Sequence, residues 1–222
     1  MALIPINERV ETTGPLFEVA GYGGHSRKVA YPVNEIIQEI QDAAQDAGLS
    51  SDRNLFKIFS GYRSDARQQG IFDKKVATLQ DQHPEMSLAQ IHKLARKTVA
   101  KPGSSSHRTG YAFDIYLGHK TGLNIANTSR QNTAYIESTP AYAFLREIAP
   151  KYGISQLGSE PWHWECDRAC REAFINRDTH LNNDNGETPV ASTKRKVAVA
   201  LIGVSCVTAL VLGGWILFTK QK

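Results

Sequence analysis

Twenty-two consecutive residues near the C-terminus, VAVALIGVSCVTALVLGGWILF (Val197–Phe218), carry no charge. A helix on the surface of a globular domain keeps one polar face, and this run has none. As a helix it reaches about 33 Å, close to the hydrocarbon thickness of a bilayer. The run therefore predicts a single transmembrane helix over 197–218 and a lipid bilayer as a partner. Lys194, Arg195 and Lys196 precede it, Lys220 and Lys222 follow it, and Trp215 lies near one end, where interfacial aromatics sit. Ser205, Ala209 and Gly213 recur at four-residue spacing, a small-residue ladder suited to helix–helix self-association.

The span divides the rest of the chain. Residues 177–196 are polar, rich in Asn, Asp and Thr, and lack apolar periodicity, which predicts a flexible linker. Residues 1–176, with a core over 34–175, are left to form one folded domain. Of the net charge of +4, little belongs to that domain, which holds 20 basic and 19 acidic residues. A near-neutral domain gives no electrostatic case for nucleic-acid binding.

Within the domain the expected elements are mixed. Residues 34–48 predict a helix capped by Asn34, with Ile36, Ile37, Ile40 and Ala44 on one face and Gly48 at its end. Residues 54–63 predict a buried strand, and a second helix is entered at Ser64 or Asp65. Ser87 and Gln90 form a capping box for a third helix, stopped by Pro102-Gly103. Pro140 and Gly153 bracket another. Residues 111–117 and 161–165 predict strands, and 124–139 a long surface loop. Helices early and strands around the polar motifs indicate an α+β domain, a small antiparallel sheet flanked by helices.

Those two strands carry the chemistry. Alternation puts Tyr111, Phe113, Ile115 and Leu117 toward a core and Ala112, Asp114 and Tyr116 on the opposite face. His107 lies in the preceding Ser-rich loop, and Gly110 allows a sharp entry. In PWHWE, His163 faces away from Trp162 and Trp164. Two histidines and one carboxylate make a three-ligand site of the kind catalytic zinc uses, with a fourth position left for water. Glu160, three residues before His163, is placed to take a proton from that water. Taken singly, each residue has a plainer role. Asp114 can pair with Arg108, and Arg63 can cap a helix or pair with a carboxylate. His163, Cys166 and Cys170 also spell a thiol-rich zinc pattern. The two cysteines, four apart on an expected helix, are expected to be free thiols, because that spacing is poor for a disulfide.

Taken together, three motifs resemble the zinc D-Ala-D-Ala metallopeptidases of the LAS group, which also contains lysostaphin-like enzymes and hedgehog domains. The likeness is nearest to the D,D-carboxypeptidases of the vancomycin-resistance type. The family pattern S-x-H-x-x-G-x-A-x-D is met by Ser105, His107, Gly110, Ala112 and Asp114, and E-x-W-H by Glu160, Trp162 and His163. S-G-Y-R-S-x-x-x-Q is met by Ser60, Gly61, Tyr62, Arg63, Ser64 and Gln68. The resemblance implies one Zn2+ ion held by His107, Asp114 and His163, with Glu160 as catalytic base. It also implies that Arg63 meets the substrate carboxylate or the developing oxyanion, with Ser105 and Gln68 lining the substrate site. The implied activity is a peptidoglycan peptidase, foremost a D-alanyl-D-alanine carboxypeptidase acting on the stem peptide. Cleavage within the stem peptide, as by phage lysins, is the related alternative. A non-catalytic zinc module that binds cell wall or protein is the alternative from another class.

Topology is in tension with that activity. The N-terminus shows no secretory signal pattern. The Lys194–Lys196 cluster, the stronger basic flank, would hold the domain on the cytoplasmic side. Delivery to the wall as a component of a virion, one with a membrane, resolves the conflict.

Overall fold

The computed structural model describes residues 14–49, 51–118 and 130–174. The chain divides into two units, Met1–Asn185 and Gly186–Lys222. The expected linker over 177–196 and transmembrane helix over 197–218 lie outside the described residues. Among the described residues, no helix is long and apolar enough to cross a membrane.

The described residues open with an antiparallel hairpin, β1 (Leu16–Ala20) and β2 (Ser26–Ala30). The sequence expectations include no element in this stretch. Its outward positions alternate weakly, and only Val29 and Ala30 are buried. Helix α1 (Val33–Asp46) follows and buries Val33, Ile36, Ile37, Ile40 and Ala44. Pro32 stands at its N-cap, and the Asn34 amide donates to Glu35 instead of capping. Pro32 fixes its own φ, and the helix starts two residues earlier than a capping Asn34 would allow.

Strand β3 (Ile58–Ser60) leads into α2 (Asp65–Gln82), whose first turn is capped by Ser64 accepting from the Arg67 N–H. Helix α3 (Leu88–Ala95) has the expected Ser87–Gln90 capping box but stops at Arg96, before Pro102. The two helices close over their own small core of Phe72, Val76, Leu79, Ile91 and Ala95. Strand β4 (Ala112–Ile115) comes next, and part of the expected loop is in fact α4 (Arg130–Glu137). That helix buries only Asn132 and Ile136, so it shows no apolar stripe to read. Helix α5 (Pro140–Tyr152) has Pro140 in its first turn and a left-handed Gly153 at its end.

Strands β5 (Ile154–Gln156) and β6 (His163–Cys166) complete a four-stranded antiparallel sheet in the order β3-β4-β6-β5. One face of this sheet packs Phe113, Ile115, Trp164 and Ile154 into the main core with α1 and α5. The other face carries the polar motifs. The architecture is thus the α+β arrangement expected.

The cysteines correct an expectation. Cys166 and Cys170 form a disulfide, with Cα atoms 5.3 Å apart. Four-residue spacing is poor for a disulfide when both cysteines lie on one helix, and these two do not. Cys166 ends a strand, and Cys170 lies in the first helical turn after Asp167, whose carboxylate accepts from the Cys170 N–H. The chain reverses between them, which brings the two Cβ atoms into disulfide range.

Candidate active site

The register of the sheet assembles the site. In the β4–β6 ladder Asp114 lies directly opposite His163, and Ala112 opposite Glu165. Residues opposite one another share a face, so Asp114, His163 and Glu165 project together while Phe113 and Trp164 enter the core. Trp162 and Trp164 are both fully buried. Ala112 leaves room beside its larger neighbours.

His107 arrives from the short 3-10 turn Ser106–Thr109, which Gly110 ends at φ +79°. The turn is braced from outside, since the Ala30 N–H donates to the Gly110 carbonyl. The His107 Nδ1 lies 2.9 Å from the Gly61 carbonyl. A carbonyl only accepts, so Nδ1 carries the proton and Nε2 is the nitrogen turned inward. That Nε2 lies 3.4 Å from Asp114 Oδ1. The His163 Nδ1 lies 2.9 Å from the same oxygen, and the two imidazoles meet edge to face.

All three side chains are buried, and their ligand atoms lie within 4.8 Å of one another. Burial alone would raise the Asp114 carboxyl, but His107 and His163 beside it hold it well below the usual carboxylate range. Burial likewise disfavours a charged His163, yet Asp114 and Glu165 push its pKa up to about 9. A pocket of two imidazoles around a carboxylate that stays ionised is a nitrogen–oxygen donor set suited to zinc. The residues fit the metal that the sequence motifs implied.

Glu160 lies in the turn before β6, where its carbonyl accepts from the His163 N–H and its own N–H donates to Leu157. The side chain is half-buried. Burial raises its pKa, the Asp114 charge adds to the rise, and His163 and His107 oppose it. A carboxyl so perturbed beside a buried cluster suits proton transfer.

Arg63 extends from the segment after β3, and its N–H donates to the His107 carbonyl. Its guanidinium donates to Gln68 Oε1 and Ser60 Oγ, each at 2.9 Å, and lies 3.9 Å from Asp114 Oδ2. Burial lowers its pKa, with the Asp114 charge opposing the shift. Gln68 is buried, and its amide donates to the Ala100 carbonyl at 2.6 Å. The structure therefore puts Gln68 behind Arg63, gripping the guanidinium. Ser105 is buried at the head of the His107 turn, where its carbonyl accepts from the Arg108 N–H. Arg108 itself pairs with Asp65 at 3.6 Å.

The residue that sequence reasoning missed is Glu165. Its Oε1 lies 2.9 Å from His163 Nε2, on the side of the ring away from Asp114. The signal was present in the period of two, which puts Glu165 on the His163 face of PWHWE.

Known proteins resemble this chain. A D-alanyl-D-alanine carboxypeptidase of Enterococcus faecalis is 29% identical over 143 residues, covering 63% of this chain. That stretch is 48% of the relative, so the chain spans about half the length of this curated relative. The structure of the LdcB LD-carboxypeptidase superposes with a TM-score of 0.50 at 22% identity, covering 77% of this chain and 78% of that one, a likeness of fold. A vancomycin-resistance D,D-pentapeptidase, VanY, in complex with Zn(II) is 25% identical with a TM-score of 0.44, covering 74% of this chain and 85% of that one. Residues 26–166, well over half of the chain, match the family model described as VanY, D-alanyl-D-alanine carboxypeptidase, and the chain belongs to that family.

Proposed function

We propose that this chain is a zinc-dependent peptidase that removes the terminal D-alanine from peptidoglycan stem peptides. One observation carries the reading. Glu160 and Arg63, a proton acceptor and a fixed cation, both act electrostatically on the buried His107–Asp114–His163 cluster, as a hydrolytic site requires and a binding module does not. Family membership supports the same activity.

His107, Asp114 and His163 would hold the ion. When bound, zinc supplies Lewis-acid polarisation of a carbonyl and acidifies water. Glu160 accepts the proton of the attacking water as its oxygen bonds to the scissile carbon. It then delivers that proton to the amine as the C–N bond breaks. Arg63, held in place by Ser60 and Gln68, offers its free edge to the developing oxyanion or the substrate carboxylate. Ser105, at the head of the ligand turn, lines the substrate side.

The test is mass spectrometry of muropeptides incubated with the zinc-loaded protein. Loss of one terminal alanine supports the reading. Cleavage within the stem peptide would replace it with the endopeptidase alternative, and an unchanged profile would reject both.

We also propose that residues 197–218 anchor the protein in a bilayer as a single span, with self-association through Ser205, Ala209 and Gly213. The domain would reach the wall as a virion component. The Cys166–Cys170 disulfide supports a working place outside a reducing cytosol. An antibody to the domain that labels purified particles would agree. Labelling confined to the outer face of the cytoplasmic membrane would mean a resident cell enzyme instead.

A further inference from the structure

The two histidines of the cluster have different outer partners. His107 is oriented by a backbone carbonyl, that of Gly61, which no side-chain substitution removes. His163 is oriented by a side chain, since Glu165 Oε1 stands 2.9 Å from its Nε2. The ring nitrogens of an imidazole direct their lone pairs away from each other. An ion shared with Asp114 through Nδ1 therefore lies out of reach of a carboxylate seated on Nε2. Glu165 is accordingly not a fourth ligand, and the buried three-residue cluster does not include it.

Its position is structurally enforced. Glu165 is two residues along β6 from His163, lies opposite Ala112 on one side and Ser155 on the other, and is buried. A buried carboxylate is costly unless hydrogen-bonded, so its presence near the end of a buried strand calls for a partner of this kind. Ser106 Oγ, from the turn that carries His107, stands 3.4 Å from the same Nε2.

We infer that Glu165 is a positioning residue that accepts the Nε2 proton of His163, fixing the tautomer and ring plane that present Nδ1 to the metal. This rests on the zinc reading above. It adds a charged outer partner for one ligand, where the other has only a neutral one. Outer partners of this kind are typically worth 10–100-fold in metal affinity.

The test measures zinc affinity by competition with a chromophoric chelator, on the full chain in detergent and without substrate. Glu165→Ala is expected to bind zinc about 10–100-fold more weakly. Glu165→Gln, which keeps the shape and one acceptor oxygen, is expected to fall between Ala and the parent. The visible spectrum of the cobalt-substituted protein should shift in both variants, since the ligand field follows the ring orientation. A Glu165→Ala variant with parental zinc affinity and an unaltered cobalt spectrum overturns the inference. Should that variant fail to fold, a Glu165→Gln protein with both readouts unchanged does the same. Release of D-alanine is scored separately on the parent. Its absence, with zinc affinity still dependent on Glu165, would reject the proposed substrate and leave this inference standing.

Discussion

Glu160 and His163 answer to acid in opposite ways, although three residues apart. Glu160→Gln should keep the metal and lose about 10²–10⁴ in rate, measured as D-alanine release with zinc content determined in parallel. In the parent, activity should fall with acid at a pH above the ordinary Glu range, because burial raises that carboxyl. An active Glu160→Gln protein would assign the proton transfer elsewhere. His163 governs the metal-free protein. Its pKa rises from 6.5 to about 9 on folding, so the stability it contributes is fully present below pH 6.5 and is lost as pH climbs through about 9. Zinc demands the neutral ring, so metal affinity should rise over the same window. Thermal melts of chelator-treated protein across that range check the sign, and a metal-free melting temperature that climbs with pH would contradict it. Arg63→Lys keeps the charge but not the fork held by Ser60 and Gln68. A rate loss of about 10²-fold is expected, as for a displaced oxyanion donor.

At the scale of elements, period-two strands and capped helices were legible because each wrote a local pattern. The alternation of β4 placed Asp114 opposite the core before any partner strand was known, and Ser87 with Gln90 marked the start of α3. What stayed hidden depends on tertiary context. Helix α4 is polar on all but a narrow strip, β5 is three residues long, and the hairpin buries little. Glu165 was passed over because a carboxylate at a strand's end looks solvated until the ladder shows its partner. The disulfide was hidden because four-residue spacing is poor for the bond only when one helix holds both cysteines. Its side chains lie on the core face, away from His163. Cys170→Ser with Cys166→Ser should therefore cost roughly 2 kcal/mol of stability, the loop-closure value for so short a ring, and leave turnover intact. Denaturant titration beside a kinetic assay would show this, and loss of turnover in a folded double variant would tie the bond to the site.

For the whole molecule, the three candidate ligands come from a turn and two strands that meet only when the sheet closes. Metal binding should therefore stabilise the entire domain, and removal by a chelator should lower the melting temperature and abolish activity together. An active preparation shown by elemental analysis to hold no divalent metal would end the zinc reading. Gly61 carries a consequence that reaches beyond the cluster. Its carbonyl receives the His107 proton, the next residue's N–H donates to Lys28 of β2, and an added Cβ would collide with that Lys28 carbonyl. The N-terminal hairpin and the first histidine are thus geared to one another through Gly61, besides the Ala30 N–H that braces the histidine's turn. A side chain as small as alanine at position 61 would push the hairpin away or swing the imidazole out of aim. Damage to a hairpin that supplies none of the three candidate ligands would then surface as an apparent metal deficiency, cured by more zinc in the buffer.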